Sequence, residues 1–220
     1  MKRLYIVVEG QTEQEFVNTL LRPWLNGYGL LSVYPILIKT SKHGRGGHVN
    51  AGHLMNTVKG LLRETKDRDL VVTTFVDFFR IPNNMPGYES AMQLSNSLAQ
   101  VEALEKALAN AINDWRFVPY IQRHEFEALV FSSNAGFEKY CSEDQSSRTA
   151  TIVDSYQNPE DINSSPESAP SKRLIALIPN YDKVVLGNVL ALEIGIETIL
   201  SRCPRFSSWI DELIKRVSPQ

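Results

Sequence analysis

The run 70-LVVTTFV-76 does most to limit what this chain can become. It is apolar or β-branched throughout and bounded by charge at Asp69 and Asp77, so it reads as a strand covered on both faces rather than one alternating between core and water. Such strands belong to parallel sheets with helices on either side. Three further segments, 4-LYIVV-8, 33-VYPILI-38 and 117-FVPYIQ-122, can join it. Between them lie helical spacings: Phe16, Val17, Leu20, Leu21, Trp24 and Leu25, then a stretch reaching residue 64, then Leu94, Leu98, Val101, Leu104, Leu108 and Ile112. The expected fold is therefore α/β, a mostly parallel four-stranded sheet with right-handed crossovers and flanking helices. Locally, Thr12 with Glu15 predicts a capping box, and Pro23 should kink or end the first helix.

Beyond residue 132 no further convincing strand is found, and 154-DSYQNPEDINSSPESAPS-171 reads as a long loop. Helices are expected at 171–178, 184–200 and 204–217, with Pro204 in a first turn. Residues 1–131 thus form an α/β core and 132–220 a helical appendage packed on it.

The chain of 220 residues has a formal charge of −2, so nucleic acid or an anionic membrane would have to be met by a local patch. No apolar run approaches the ~18 residues of a membrane span. Acid follows the first apolar run too soon for a signal peptide, and Cys141 and Cys203 lack metal-ligand spacing, which together fit a reducing cytoplasm.

The first and third strands end in acids, Glu9 and Asp77, and a pair, Glu125 and Glu127, follows the fourth. In parallel sheets the carboxyl ends of strands line the edge where ligands bind. Carboxylates gathered there repel one another, and a divalent ion such as Mg²⁺ removes that cost. If 124-HEFE-127 is extended, both acids reach the site and Phe126 enters the core; if a helix begins near His124, only one does, and Glu125 carries more weight. Glu13 reads as an acid at a helix N-terminus.

The segments VEGQTEQEFV, VDFF, PYIQRHEFEALVF, PESAPSKRL and CPRFSSW carry a resemblance. The first two resemble the Toprim fold of topoisomerases, primases and OLD-family nucleases. All five together resemble a Toprim-like bacterial family of unknown function, often encoded beside an AAA-type or ABC-like ATPase in phage-defence loci. The resemblance implies that Glu9 and Asp77 hold Mg²⁺ or Mn²⁺, with Glu125 and Glu127 replacing the second acid of an Asp-x-Asp pair whose place Phe79 takes. It also implies that Lys172, in the SKR segment with Arg173, neutralises charge on a phosphate oxygen.

The loop 39-KTSKHGRGGH-48 gathers Lys39, Lys42 and Arg45 among glycines, a composition suited to gripping a sugar-phosphate backbone, as Arg173 could also do. His43, His48 and His53 are five apart, which argues against a zinc site, and His124 could orient a carboxylate or carry a proton. The leading expectation is a metal-dependent nuclease, cleaving DNA or RNA with Glu9, Asp77, Glu125 and Lys172 as catalytic residues, coupled to an ATPase. The alternatives are a non-catalytic scaffold binding that ATPase or a nucleotide, and a hydrolase of small phosphoesters.

Overall fold

The computed structural model describes residues 3–29, 32–38, 50–64, 69–162, 165 and 167–217. Its centre is β3 (Leu70–Asp77), flanked in parallel by β1 (Arg3–Val8) on one side and by β4 (Phe117–Val118) and β5 (Ile121–Gln122) on the other. The edge strand β2 (Val33–Leu37) pairs in parallel with β1, giving the order β2-β1-β3-β4. Pro35 cannot donate to a ladder, and it sits where only one neighbour exists.

The fourth strand is interrupted at Pro119, and the two threonines of β3 repair the gap. Thr73 donates its hydroxyl to the Val118 carbonyl at 2.6 Å, while Thr74 Oγ1 accepts from Tyr120 N and donates to Tyr120 O, both at 2.8 Å. This explains two polar residues in a strand that is otherwise apolar and buried as far as Val76.

Strand alternation divides the core. Leu4, Ile6, Val8, Val71 and Phe75 face one side, against α1 (Gln11–Phe16), α10 (Leu186–Ile194) and α12 (Pro204–Val217). Val7, Val72 and Val76 face the other, against α3 (Ala51–Glu64) and α5 (Ser97–Ile112). The C-terminal helices therefore complete one face of the sheet. Trp209 of α12 stacks on Tyr120 at 4.3 Å and donates its indole N–H to Thr73 at 2.9 Å.

Several boundaries differ from expectation. The first helix does not stop at Pro23: a π-helical turn over Val17–Leu21 precedes α2 (Arg22–Asn26), and the missing proline N–H falls in that helix's first turn. The helix expected from Leu94 starts only at Ser97, as α5, whose N-cap Asn96 accepts from Ala99 N at 2.9 Å, and a separate short helix, α4 (Tyr88–Met92), precedes it. Leu94 lies in the turn between them, 40% exposed. The 184–200 helix breaks at Gly195, whose φ of 79° separates α10 from α11 (Ile196–Arg202). The helix weighed from near His124 starts only at Glu127, as α6 (Glu127–Val130), and two helices were not anticipated: α7 (Ala135–Tyr140) and α8 (Glu143–Ser155). Among the described residues no helix is long and apolar enough to cross a membrane.

Candidate functional site

At the carboxyl edge of the sheet the chain leaves β1 through exposed Glu9 and enters α1 at once. Gly10, not Thr12, is the N-cap; its N–H donates to Glu13 Oε2 at 2.9 Å. The helix starts two residues earlier than expected, and Glu13, third in its first turn, is only 7% exposed. A Cβ on Gly10 would lie 3.1 Å from that same oxygen, so glycine leaves room for the carboxylate to fold back.

Asp77 closes β3, and its Oδ1 accepts from Phe126 N at 2.9 Å. Glu9 and Asp77 line one small cavity of about 20 Å³ with Val76, Pro82 and Met85. That is room for a single water-sized species.

The segment 124–126 is neither strand nor helix. Pairing continues past the strand ends through Phe78 N to Gln122 O, 2.9 Å, and Phe79 N to His124 O, 2.8 Å. His124 then takes a φ of 69°, which turns the chain, and α6 begins only at Glu127. Phe126 consequently enters the core beside Phe16, as expected of the extended alternative, and both acids are buried, Glu125 to 3% and Glu127 to 1%. Glu125 is held by α9 (Pro170–Leu177): Ser171 N donates to its Oε2 and Ser171 Oγ to its Oε1, each at 2.9 Å. Glu127 forms an ion pair with Lys183 at 2.7 Å.

The charges act on one another. Burial pushes the Asp77 carboxyl well above the usual range, and the negative fields of Glu13, Glu127, Glu9 and Glu125 push it further. Glu13 is raised to about 7, mainly by burial, with Glu9 and Glu127 adding to it and the Gly10 N–H opposing. Burial also raises Glu127, against the pull of Lys183. Tyr181 is raised by burial and by the fields of Glu127 and Glu125, which places its phenol beside the same group.

Sequence-distant acids at residues 9, 77, 125 and 127 are thus brought within electrostatic reach of each other, with Glu13 among them. Among the described residues, however, no three stand close enough to form a ready-made metal-ligand set. The donor bonds explain why: Asp77, Glu13, Glu125 and Glu127 each already meet a protein N–H, hydroxyl or ammonium.

Lys172 follows Ser171 in the first turn of α9 and is exposed. Arg173 donates to Ser168 O at 2.8 Å and Tyr156 Oη at 3.3 Å and lies over the Tyr156 ring, so it joins α9 to the end of α8. Lys39, Lys42 and Arg45 lie outside the described residues, as do His43 and His48. His124 is lowered to about 4 by burial and by Arg123, so near pH 7 it is the neutral imidazole with a single ring proton. Phe79, half-buried, faces the Arg80 guanidinium at 5.2 Å. Sequence reasoning missed Lys183 and Tyr181, since nothing in 181-YDKVV-185 announces a contact with residues 125–127.

A family model described as a domain of unknown function, DUF4276, matches residues 8–214. The chain belongs to the DUF4276 family. That match takes in Glu9, Asp77, Glu125, Glu127 and Lys183 alike, so the acid cluster lies wholly inside the DUF4276 region. No Toprim or OLD-family model matches. No curated protein and no solved structure matches the chain.

Proposed function

We propose that this DUF4276 protein is a metal-dependent, Toprim-like nuclease that hydrolyses phosphodiester bonds of DNA or RNA. The observation that carries the proposal is Asp77, set at the end of the central strand in the fields of four other carboxylates. Uncompensated acids at a sheet edge cost stability, and an oxygen-only donor set of this kind suits Mg²⁺ or Mn²⁺. Glu9 and Asp77 share the lining of one water-sized cavity, which brings the ends of β1 and β3 to a common space. When bound, the metal supplies a polarised water and charge stabilisation for the phosphate.

In this reading Glu9, Asp77 and Glu127 hold the ion. Glu13, titrating at about 7, is placed to take the proton of the attacking water as it bonds to phosphorus. The phosphorus–oxygen bond on the far side breaks, and the leaving oxygen takes a proton from solvent. Glu125 acts mainly as a clasp for the SKR segment, which carries Lys172 towards the substrate side. Phe79 leaves one fewer acid than the Asp-x-Asp pattern, and Glu127 fills that role. The resemblance to a Toprim-like family encoded beside ATPases supports coupling to an ATPase partner in phage defence.

A second reading, a non-catalytic scaffold for that ATPase, is favoured by the protein donors already bonded to four of the acids. Calorimetric titration of Mn²⁺ separates the two. The nuclease reading expects wild type to bind and Asp77→Asn to lose binding while keeping its fold, since asparagine still accepts from Phe126 N. It also expects metal-dependent cleavage that Glu9→Gln abolishes. Absence of any metal-dependent heat in the wild type would leave the scaffold.

A further inference from the structure

Lys183 lies between α9 and α10, and its ammonium stands 2.7 Å from Glu127 Oε1. The two partners differ sharply in exposure, 43% for the lysine side chain against 1% for the glutamate. Glu127 is fixed in the core, whereas Lys183 reaches in from solvent along its own stem and has water to withdraw into. The ammonium also feels Glu125 and Asp77, so a single protein cation answers several acids. Beside it two buried polar atoms, Tyr181 Oη and Asn188 Oδ1, have no hydrogen-bond partner among the described residues. Asn188 itself is held in place, its amide donating to Thr12 O at 3.2 Å and Val184 O at 2.9 Å. Gly187 permits this arrangement, for a Cβ there would lie 2.7 Å from the Tyr181 hydroxyl. Buried acceptors of this kind are ordinarily met by a water or a ligand.

Resting on the nuclease reading above, we propose that Lys183 is a displaceable counter-ion: it holds the cation's place against Glu127 in the metal-free protein, gives way to the divalent ion, and is then free to meet a phosphate oxygen of the nucleic acid. One positive charge does in the resting protein what two do in the loaded one. The exchange accounts for acids that share a field yet form no ready ligand set, because Lys183 and the backbone donors hold them apart until metal competes. It also limits hydrolysis to conditions in which metal and substrate are both present.

The test is Mn²⁺ affinity by calorimetry on the full chain, with melting temperature recorded with and without the ion. Lys183→Met removes the competitor and should bind Mn²⁺ roughly tenfold more tightly, a difference of about 1.4 kcal/mol. It should melt below wild type without metal and close that gap at saturating Mn²⁺. Lys183→Arg replaces the competitor with a fork that grips a carboxylate at two points, and should bind Mn²⁺ several-fold more weakly than wild type. If Lys183→Met does not fold, the arginine variant decides. Affinities equal to wild type in the variants that fold overturn the counter-ion role and leave the nuclease reading standing. A wild type that binds no Mn²⁺ at all overturns both.

Discussion

Two clusters of buried acids border the aromatic core, and they are built in contrasting ways. At the start of α12, Glu160 is fully buried and accepts from Arg205 N at 2.8 Å and Phe206 N at 3.1 Å. Glu105 pairs with the Arg205 guanidinium and accepts from Ile121 N, and Arg123 pairs with Asp161. Burial raises the carboxyls of both Glu105 and Glu160, but arginine and backbone donors oppose it in each. At the carboxyl edge, Asp77 experiences four acids, and they are answered by one half-exposed ammonium, that of Lys183. The first cluster borders a cavity of about 500 Å³, far larger than the space between Glu9 and Asp77. Cavity size is therefore a poor guide here. Under the proposal above, the cluster answered by one withdrawable cation is the place for a ligand, and the cluster balanced by arginine and backbone donors is a joint.

The sharpest way to break this contrast is at Glu160. Its replacement by alanine leaves two backbone N–H groups of α12 without acceptors and removes a neighbour of Arg205, so a loss of about 4 kcal/mol is expected in chemical denaturation. Mn²⁺ binding should be unchanged. A loss below about 1 kcal/mol would mean that α12 is not held this way.

Neutralising an acid at the other cluster should act in the reverse sense. Glu13 is raised from 4.5 to about 7, so between those values the folded chain holds a proton that the unfolded chain has released. Its contribution to stability is intact below pH 4.5 and lost as pH rises through 7. Glu13→Gln keeps the acceptor for Gly10 N and has no proton to lose. It should match wild type at pH 4 and exceed it by roughly 3 kcal/mol at pH 8. Denaturant titrations at the two pH values decide it, and a gain independent of pH would dispose of the electrostatic account.

The same contrast shows what was legible beforehand. The sheet was, because 70-LVVTTFV-76 and 4-LYIVV-8 are apolar on both faces, and only a parallel sheet with helices on each side covers them. Pro204 likewise announced the start of α12. The placing of Glu9 and Asp77 at one edge followed from strand ends alone. Glu13 does stand in a first helical turn, as read, but its burial was not legible, because the N-cap is Gly10 and not Thr12, a shift of two residues that pattern does not resolve. Helix α8 has only Thr149 and Val153 buried, too few for a periodic signal, although Ser142 with Gln145 forms a capping box that was present to be seen. Lys183 could not be found locally, because its partner is fixed by how α10 packs near α6 and not by neighbouring residues.

Glu125 stands between the two designs and offers the finest test. Like Glu160 it is held by the first turn of a helix, through Ser171 N and Oγ, yet like Glu127 it adds to the field at Asp77. Ser171→Ala removes the hydroxyl donor and keeps the backbone one. The expected loss is about 1.5 kcal/mol, that of one hydrogen bond to a charged group. Because the remaining N–H still faces the carboxylate towards α9, Mn²⁺ affinity should stay within about twofold of wild type, some 0.4 kcal/mol. A gain of about tenfold would mean that the freed oxygen turns to the ion. Glu125 would then belong with the ligands, and the division between joint and site would run through Ser171 instead of between Glu125 and Glu127.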